Sequence, residues 1–103
     1  MAAARILVVE DEFLISWSVQ EILKQEYDVA ARFTGEEALA WLNEHAVDLV
    51  LLDLRMPGMD GMEVFRRLRS SHPDLKVVIL TAYGDVGDYM AAMSAGAVDF
   101  LTK

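Results

Sequence analysis

Leu49-Val50-Leu51-Leu52-Asp53-Leu54-Arg55-Met56-Pro57-Gly58-Met59-Asp60-Gly61 is the stretch on which the reading of the fold turns. Four successive apolar residues run into an aspartate, a Pro-Gly turn follows, and Asp60 stands as an N-cap before the helical spacing of Val64, Phe65 and Leu68. A short, continuously apolar run suits a strand covered on both faces, and the punctuation after it predicts strand, loop and helix in that order. Asp53 therefore ends a buried strand, where the sheet meets solvent.

The same unit recurs on either side. Ile6 to Val9, Val29 to Phe33, Val77 to Leu80 and Val98 to Leu101 are further short apolar runs, largely β-branched. Helical patterns separate them: Ile15, Val19, Ile22 and Leu23 in the first, then Ala38, Leu39, Trp41 and Leu42 behind the capping-box pattern Thr34-Gly35-Glu36-Glu37. The fourth helix is predicted from Asp85 to Ala95, with Met90 and Met93 directed inward and Gly96 as its stop. Strict alternation of strand and helix predicts an α/β fold, a parallel sheet with helices on both faces. The second run alternates, with Val29, Ala31 and Phe33 on one face, and is expected at an edge. Residues 1–103 read as one domain, without repeat, linker or low-complexity tract. The chain stops at Lys103, directly after the fifth run, so no helix follows that strand. The sheet face shared with the first helix is then expected to be partly bare, which favours a homodimer.

A formal charge of −8 argues against non-specific nucleic-acid binding and against docking on anionic lipid, both of which need clustered Lys and Arg. The absence of cysteine excludes a disulfide framework, a thiolate metal site and a Cys nucleophile, and it fits a cytoplasmic protein. Met1-Ala2-Ala3-Ala4-Arg5 leads straight into the first apolar run, unlike a signal peptide, and no stretch is long enough to span a bilayer. No glycine-rich dinucleotide fingerprint follows the first strand.

The polar residues that close the apolar runs carry the chemistry: Glu10 and Asp11 after the first, Asp53 after the third, Thr81 after the fourth and Lys103 after the fifth. In an open α/β sheet the carboxyl ends of the strands share one rim, where ligands bind, so these residues are expected to converge. Three carboxylates in one crevice are untenable unless a cation intervenes or a pKa rises. All-oxygen ligation without His or Cys suits a hard ion, Mg²⁺ first and Mn²⁺ second. A carboxylate beside such an ion can attack phosphorus and form an acyl phosphate, with Thr81 and Lys103 available to the phosphoryl oxygens.

On four stretches the chain resembles the receiver domain of bacterial two-component response regulators: ILVVEDE at Ile6 to Glu12, LVLLDLRMPGMDG at Leu49 to Gly61, VVILTAYGD at Val77 to Asp85 and AGAVDFLTK at Ala95 to Lys103. The resemblance covers essentially the whole chain. It implies a flavodoxin-like, doubly wound sheet of strand order 2-1-3-4-5 and a phosphorylation-dependent switch fed by a histidine kinase or phosphotransfer protein. Carried over by residue, Asp53 is the phosphoacceptor, and Glu10, Asp11, Asp53 and the backbone carbonyl of Arg55 hold Mg²⁺. Thr81 is the hydroxyl that moves to the phosphoryl group, Lys103 the ammonium that pairs with it, and Phe100 the aromatic that turns inward when the threonine moves. Glu10 stands where aspartate is commoner in the family, Phe100 where tyrosine is frequent, and the family normally continues through a proline into a fifth helix.

Two other readings are kept beside this one. An aspartate-nucleophile phosphatase or phosphotransferase carries a second aspartate two residues after the nucleophile, where this chain has Arg55. A phosphorylation-independent interaction module would lack one of the charged residues, and none is lacking. On chemistry alone Asp60 is a helix cap, Phe100 a core residue, His45 and His72 exposed fillers, and Trp17 and Trp41 partly buried aromatics.

Overall fold

The computed structural model describes residues 3–56, 58–81 and 86–102. Nine elements follow one another in it: β1 (Arg5–Val9), α1 (Phe13–Leu23), β2 (Asp28–Arg32), α2 (Gly35–Leu42), β3 (Leu49–Leu52), α3 (Gly61–Ser71), β4 (Lys76–Thr81), α4 (Val86–Ser94) and β5 (Asp99–Thr102). All the strand pairings are parallel, in the order β2-β1-β3-β4-β5. This is the expected doubly wound sheet, with β2 at an edge.

Local chemistry explains where the helices start and stop. Thr34 caps α2 by accepting from the Glu37 N–H at 3.1 Å, and Glu37 reaches back to the Phe33 N–H at 3.2 Å. Two amide donors at that helix start are thereby satisfied. Asp60 caps α3 through the Met62 N–H. Behind α4, Gly96 takes φ +99°, and the N–H groups of Gly96 and Ala97 return to Met93 and Ala92 carbonyls, a left-handed stop that favours glycine. The Asp85 start expected for that helix lies outside the described residues.

The two faces of the sheet differ. Leu7, Val9, Val50, Leu52, Val77 and Ile79 point to one side and pack with Ala38 and Leu42 of α2, Val64, Phe65 and Leu68 of α3 and Ala92 of α4. Every one of these is buried. On the opposite side α1 covers β1 and β2, so Ile6 and Val8 are buried, whereas Leu101 at the far edge is 45% exposed. Between them Val78 is buried and Leu51 and Leu80 are half-buried, so the exposed part of that face is the β5 edge at Leu101.

Three placements read from helical spacing need correction. Met90 is exposed, whereas Ala92 is the buried residue of α4 and Met93 packs against the core. Ile22 and Trp17 are also exposed. On α1 the fully buried position is Ser16, whose hydroxyl accepts from Gln20 Nε2 at 3.0 Å, and Trp17 is one step around the helix from it. Of the other residues read alongside them, Trp41 is half-buried and His45, stacked on it at 4.3 Å, is exposed, as expected, whereas His72 is half-buried and not exposed.

Candidate functional site

Glu10 and Asp53 are the first residues past β1 and β3, and backbone hydrogen bonds carry the ladder through them. The Glu10 N–H donates to Arg32 O at 3.2 Å, and the Asp53 N–H donates to Val9 O at 3.0 Å. Because Val9 is in register with Leu52, the two acidic residues leave neighbouring strands side by side. Asp11 follows at the turn into α1. One carboxylate oxygen from each of Glu10, Asp11 and Asp53 lies within 4.8 Å of the others, the only such cluster among the described residues.

Two of these acids are almost fully enclosed, Glu10 at 2% and Asp53 at 3% exposure. Backbone donors orient them: the Glu12 N–H donates to Glu10 Oε2 at 3.2 Å and the Arg55 N–H to Asp53 Oδ1 at 2.9 Å. At an effective dielectric near 20, like charges at this separation repel by roughly 3 kcal/mol per pair. Amide donors soften that repulsion without cancelling it, so the arrangement is stable as a set of carboxylates when a cation sits among them. The donor set, three hard oxygens with no imidazole or thiolate, fits Mg²⁺ or Mn²⁺.

Thr81 is the last residue of β4, on the same rim, and is fully buried. Among the described residues its Oγ1 has no hydrogen-bond partner. A buried hydroxyl in that state can donate to an incoming oxygen without giving up an existing bond. Thr81 pairs with Thr102 of β5 and Phe100 with Ile79 of β4, so Phe100 stands two residues back from Thr81 on the same sheet face. Lys103 lies outside the described residues. Arg55 is exposed, and its backbone is fixed at Asp53 through the N–H.

Reasoning from the sequence passed over two residues here. Gly61 begins α3 directly behind the loop that follows Asp53, and a Cβ on it would fall 2.4 Å from Leu54 Cα and 2.5 Å from Asp53 O. The signal was the Asp60-Gly61 pair, read only as a helix start. Tyr89 of α4 lies edge-on to Phe100, with ring centroids 5.6 Å apart. Nothing in the spacing announces that contact.

A family model described as the response regulator receiver domain matches residues 6–103. The transcriptional regulatory protein GlrR of Escherichia coli is 40% identical over 98 residues, which cover 95% of this chain and 22% of GlrR. The response regulator MprA of a Mycobacterium species is 41% identical over 100 residues, 96% of this chain and 44% of MprA. The chain therefore spans well under two thirds of the curated relatives it matches. Among solved structures, a CheY-like receiver domain protein from Methanospirillum hungatei superposes with TM-score 0.94 at 29% identity, over 99% of this chain and 82% of that one. The BeF3-activated receiver domain of DrrB from Thermotoga maritima gives TM-score 0.88 at 34% identity, over 100% and 86%.

Proposed function

The chain belongs to the response regulator receiver family, and from that premise we propose that Asp53 accepts a phosphoryl group from a phosphohistidine of a histidine kinase or phosphotransfer protein. Glu10, Asp11, Asp53 and the Arg55 backbone carbonyl hold Mg²⁺, or Mn²⁺, for this step. The observation that carries the reading is the meeting of three carboxylates from β1 and β3 within 4.8 Å, two of them buried.

In this reading a carboxylate oxygen of Asp53 forms a bond to phosphorus as the phosphorus–nitrogen bond of the donor breaks. The electron pair leaves with the imidazole, and an acyl phosphate remains. The bound cation would neutralise part of the charge on the transferring oxygens. The Arg55 N–H holds the Asp53 carboxylate in one orientation during attack. Thr81 donates its buried hydroxyl to a second phosphoryl oxygen, and the Lys103 ammonium pairs with a third. As Thr81 moves toward the anion, Phe100 turns inward, and the packing of the β4–β5 side changes.

Acetyl phosphate with Mg²⁺ tests this without a kinase. One phosphate is expected on the chain by intact mass, none on Asp53→Asn, and none on either with excess EDTA. Labelling of both proteins, or of neither, would contradict the assignment.

The chain acts here as a phosphoacceptor that catalyses its own phosphorylation and dephosphorylation. Arg55 stands where an aspartate-nucleophile phosphatase has its second acid, so no multiple turnover on free phosphate esters is expected. The site lies in a cytoplasmic segment that touches its kinase and not nucleic acid, in keeping with the charge of −8. Among the described residues no helix is long and apolar enough to cross a membrane. Self-association through the β5 edge and α1, where Leu101 and Ile22 are exposed, is part of the proposal.

A further inference from the structure

Phe100 is held from outside the sheet. Its strand partner Ile79 is fully buried, and Thr81, two residues further along β4 on the same face, is fully buried as well. Phe100 itself is half-buried and packs on the edge of the main core. Above it lies α4, anchored by Ala92 at full burial and by Met93. Tyr89 stands one turn before those anchors, which sets its ring over β5. The two rings meet at 5.6 Å with planes at 74°, the edge-to-face arrangement that aromatic quadrupoles favour. Among the described residues this is the one aromatic contact that Phe100 makes.

We propose that Tyr89 is a positioning residue for the switch, its ring holding Phe100 back from the inward position that accompanies phosphorylation of Asp53. This rests on the reading of Thr81 and Phe100 as the switch pair. On this proposal, rotation of Phe100 toward Thr81 takes its ring off the Tyr89 edge, since staggered wells about χ1 lie some 120° apart. Phe100 carries no hydroxyl, so no hydrogen bond from its ring competes with this contact in either position. Tyr89 is 48% exposed, so the latch sits on the surface and can be removed without opening a cavity in the core. A contact present in only one of two states biases the equilibrium toward that state, and a ligand that requires the other state binds more weakly by the same factor.

The test is titration of BeF3⁻, a phosphoryl mimic, into the chain in saturating Mg²⁺, followed by calorimetry. Removing the ring in Tyr89→Ala or Tyr89→Leu is expected to tighten BeF3⁻ binding about two- to tenfold, the range of an aromatic pair. Tyr89→Phe keeps the edge-to-face contact and should match the parent. The Phe100 ring protons should also shift in the unliganded Tyr89→Leu spectrum. Affinities of Tyr89→Ala and Tyr89→Leu equal to or weaker than the parent's would overturn the latch, as would a Tyr89→Phe protein that behaves like Tyr89→Ala. Asp53→Asn distinguishes loss of the latch from loss of the phosphoacceptor. If the parent fails to bind BeF3⁻, or Asp53→Asn binds it equally, the phosphoacceptor reading falls and the latch with it. If the parent binds, Asp53→Asn does not, and the Tyr89 variants match the parent, the latch alone falls.

Discussion

Gly61 sits where the chain has no room for a methyl group, with Leu54 Cα and Asp53 O both within 2.5 Å of the place its Cβ would take. Both neighbours are backbone, so the strain of Gly61→Ala cannot be relieved by turning a side chain. Overpacking of this kind costs about 1–3 kcal/mol. Here it also pushes on Asp53, whose carboxylate meets phosphorus in line in the proposed function. A displacement near 1 Å at a reacting group can cost about 100-fold in rate. Gly61→Ala is therefore expected to label at least tenfold more slowly with acetyl phosphate than the parent. An unchanged rate would show that Asp53 does not depend on the fit of α3 behind it. Asp53 and Asp11 were legible in the sequence because each interrupts or closes an apolar run. Gly61 was not, because close approach of two backbones leaves no trace in composition.

At the level of single elements, the helix starts are the parts most directly dictated by sequence. Thr34 and Glu37 exchange hydrogen bonds across the first turn of α2, and α2 supplies Ala38 and Leu42 to the core. Thr34→Ala removes one cap acceptor and should cost about 1 kcal/mol, or roughly 4–8 °C in melting temperature for a domain of this size. Thr34→Ser should restore most of it. A melting temperature unchanged in Thr34→Ala would mean that α2 is held by packing alone. Strand positions and the edge place of β2 also followed from pattern, since burial on both faces demands apolar residues at every position and an edge does not. The faces of α1 and α4 did not follow. Spacing shows that Ile22 and Met90 recur with other apolar residues, but not which side of the helix the sheet lies on; the buried positions are Ser16 and Ala92, small residues that apolar spacing does not mark. Trp17 was misplaced for the same reason.

Across the whole molecule the Cα radius of gyration is 12.6 Å, close to the ~13 Å expected of a compact domain of about 100 residues. Leu101 at the β5 edge and Ile22 on α1 remain exposed on this compact body, and they are the proposed site of self-association. Sedimentation over a tenfold or greater range of concentration should show the mass rising, and a constant monomer mass would refute this. Metal should also be felt globally, because a cation among three carboxylates binds the folded chain and not the unfolded one. At ten times its Kd, Mg²⁺ is expected to add about 1.4 kcal/mol to stability. Asp11→Ala should lose that increment, and a parent indifferent to Mg²⁺ would remove the case for a cation-dependent cluster. Self-association and metal binding are separable, since the exposed apolar site and the acidic rim involve different residues.

In the proposed function the carboxylates leaving β1 and β3 form one cation-dependent site where Asp53 takes up phosphorus. Borohydride reduction of the acetyl phosphate-treated chain, followed by peptide mass mapping, reads that site out by residue. Homoserine is expected at position 53 alone, in the presence of Mg²⁺ and not of EDTA. Reduction at a different carboxylate, or at Asp53 regardless of EDTA, would contradict it.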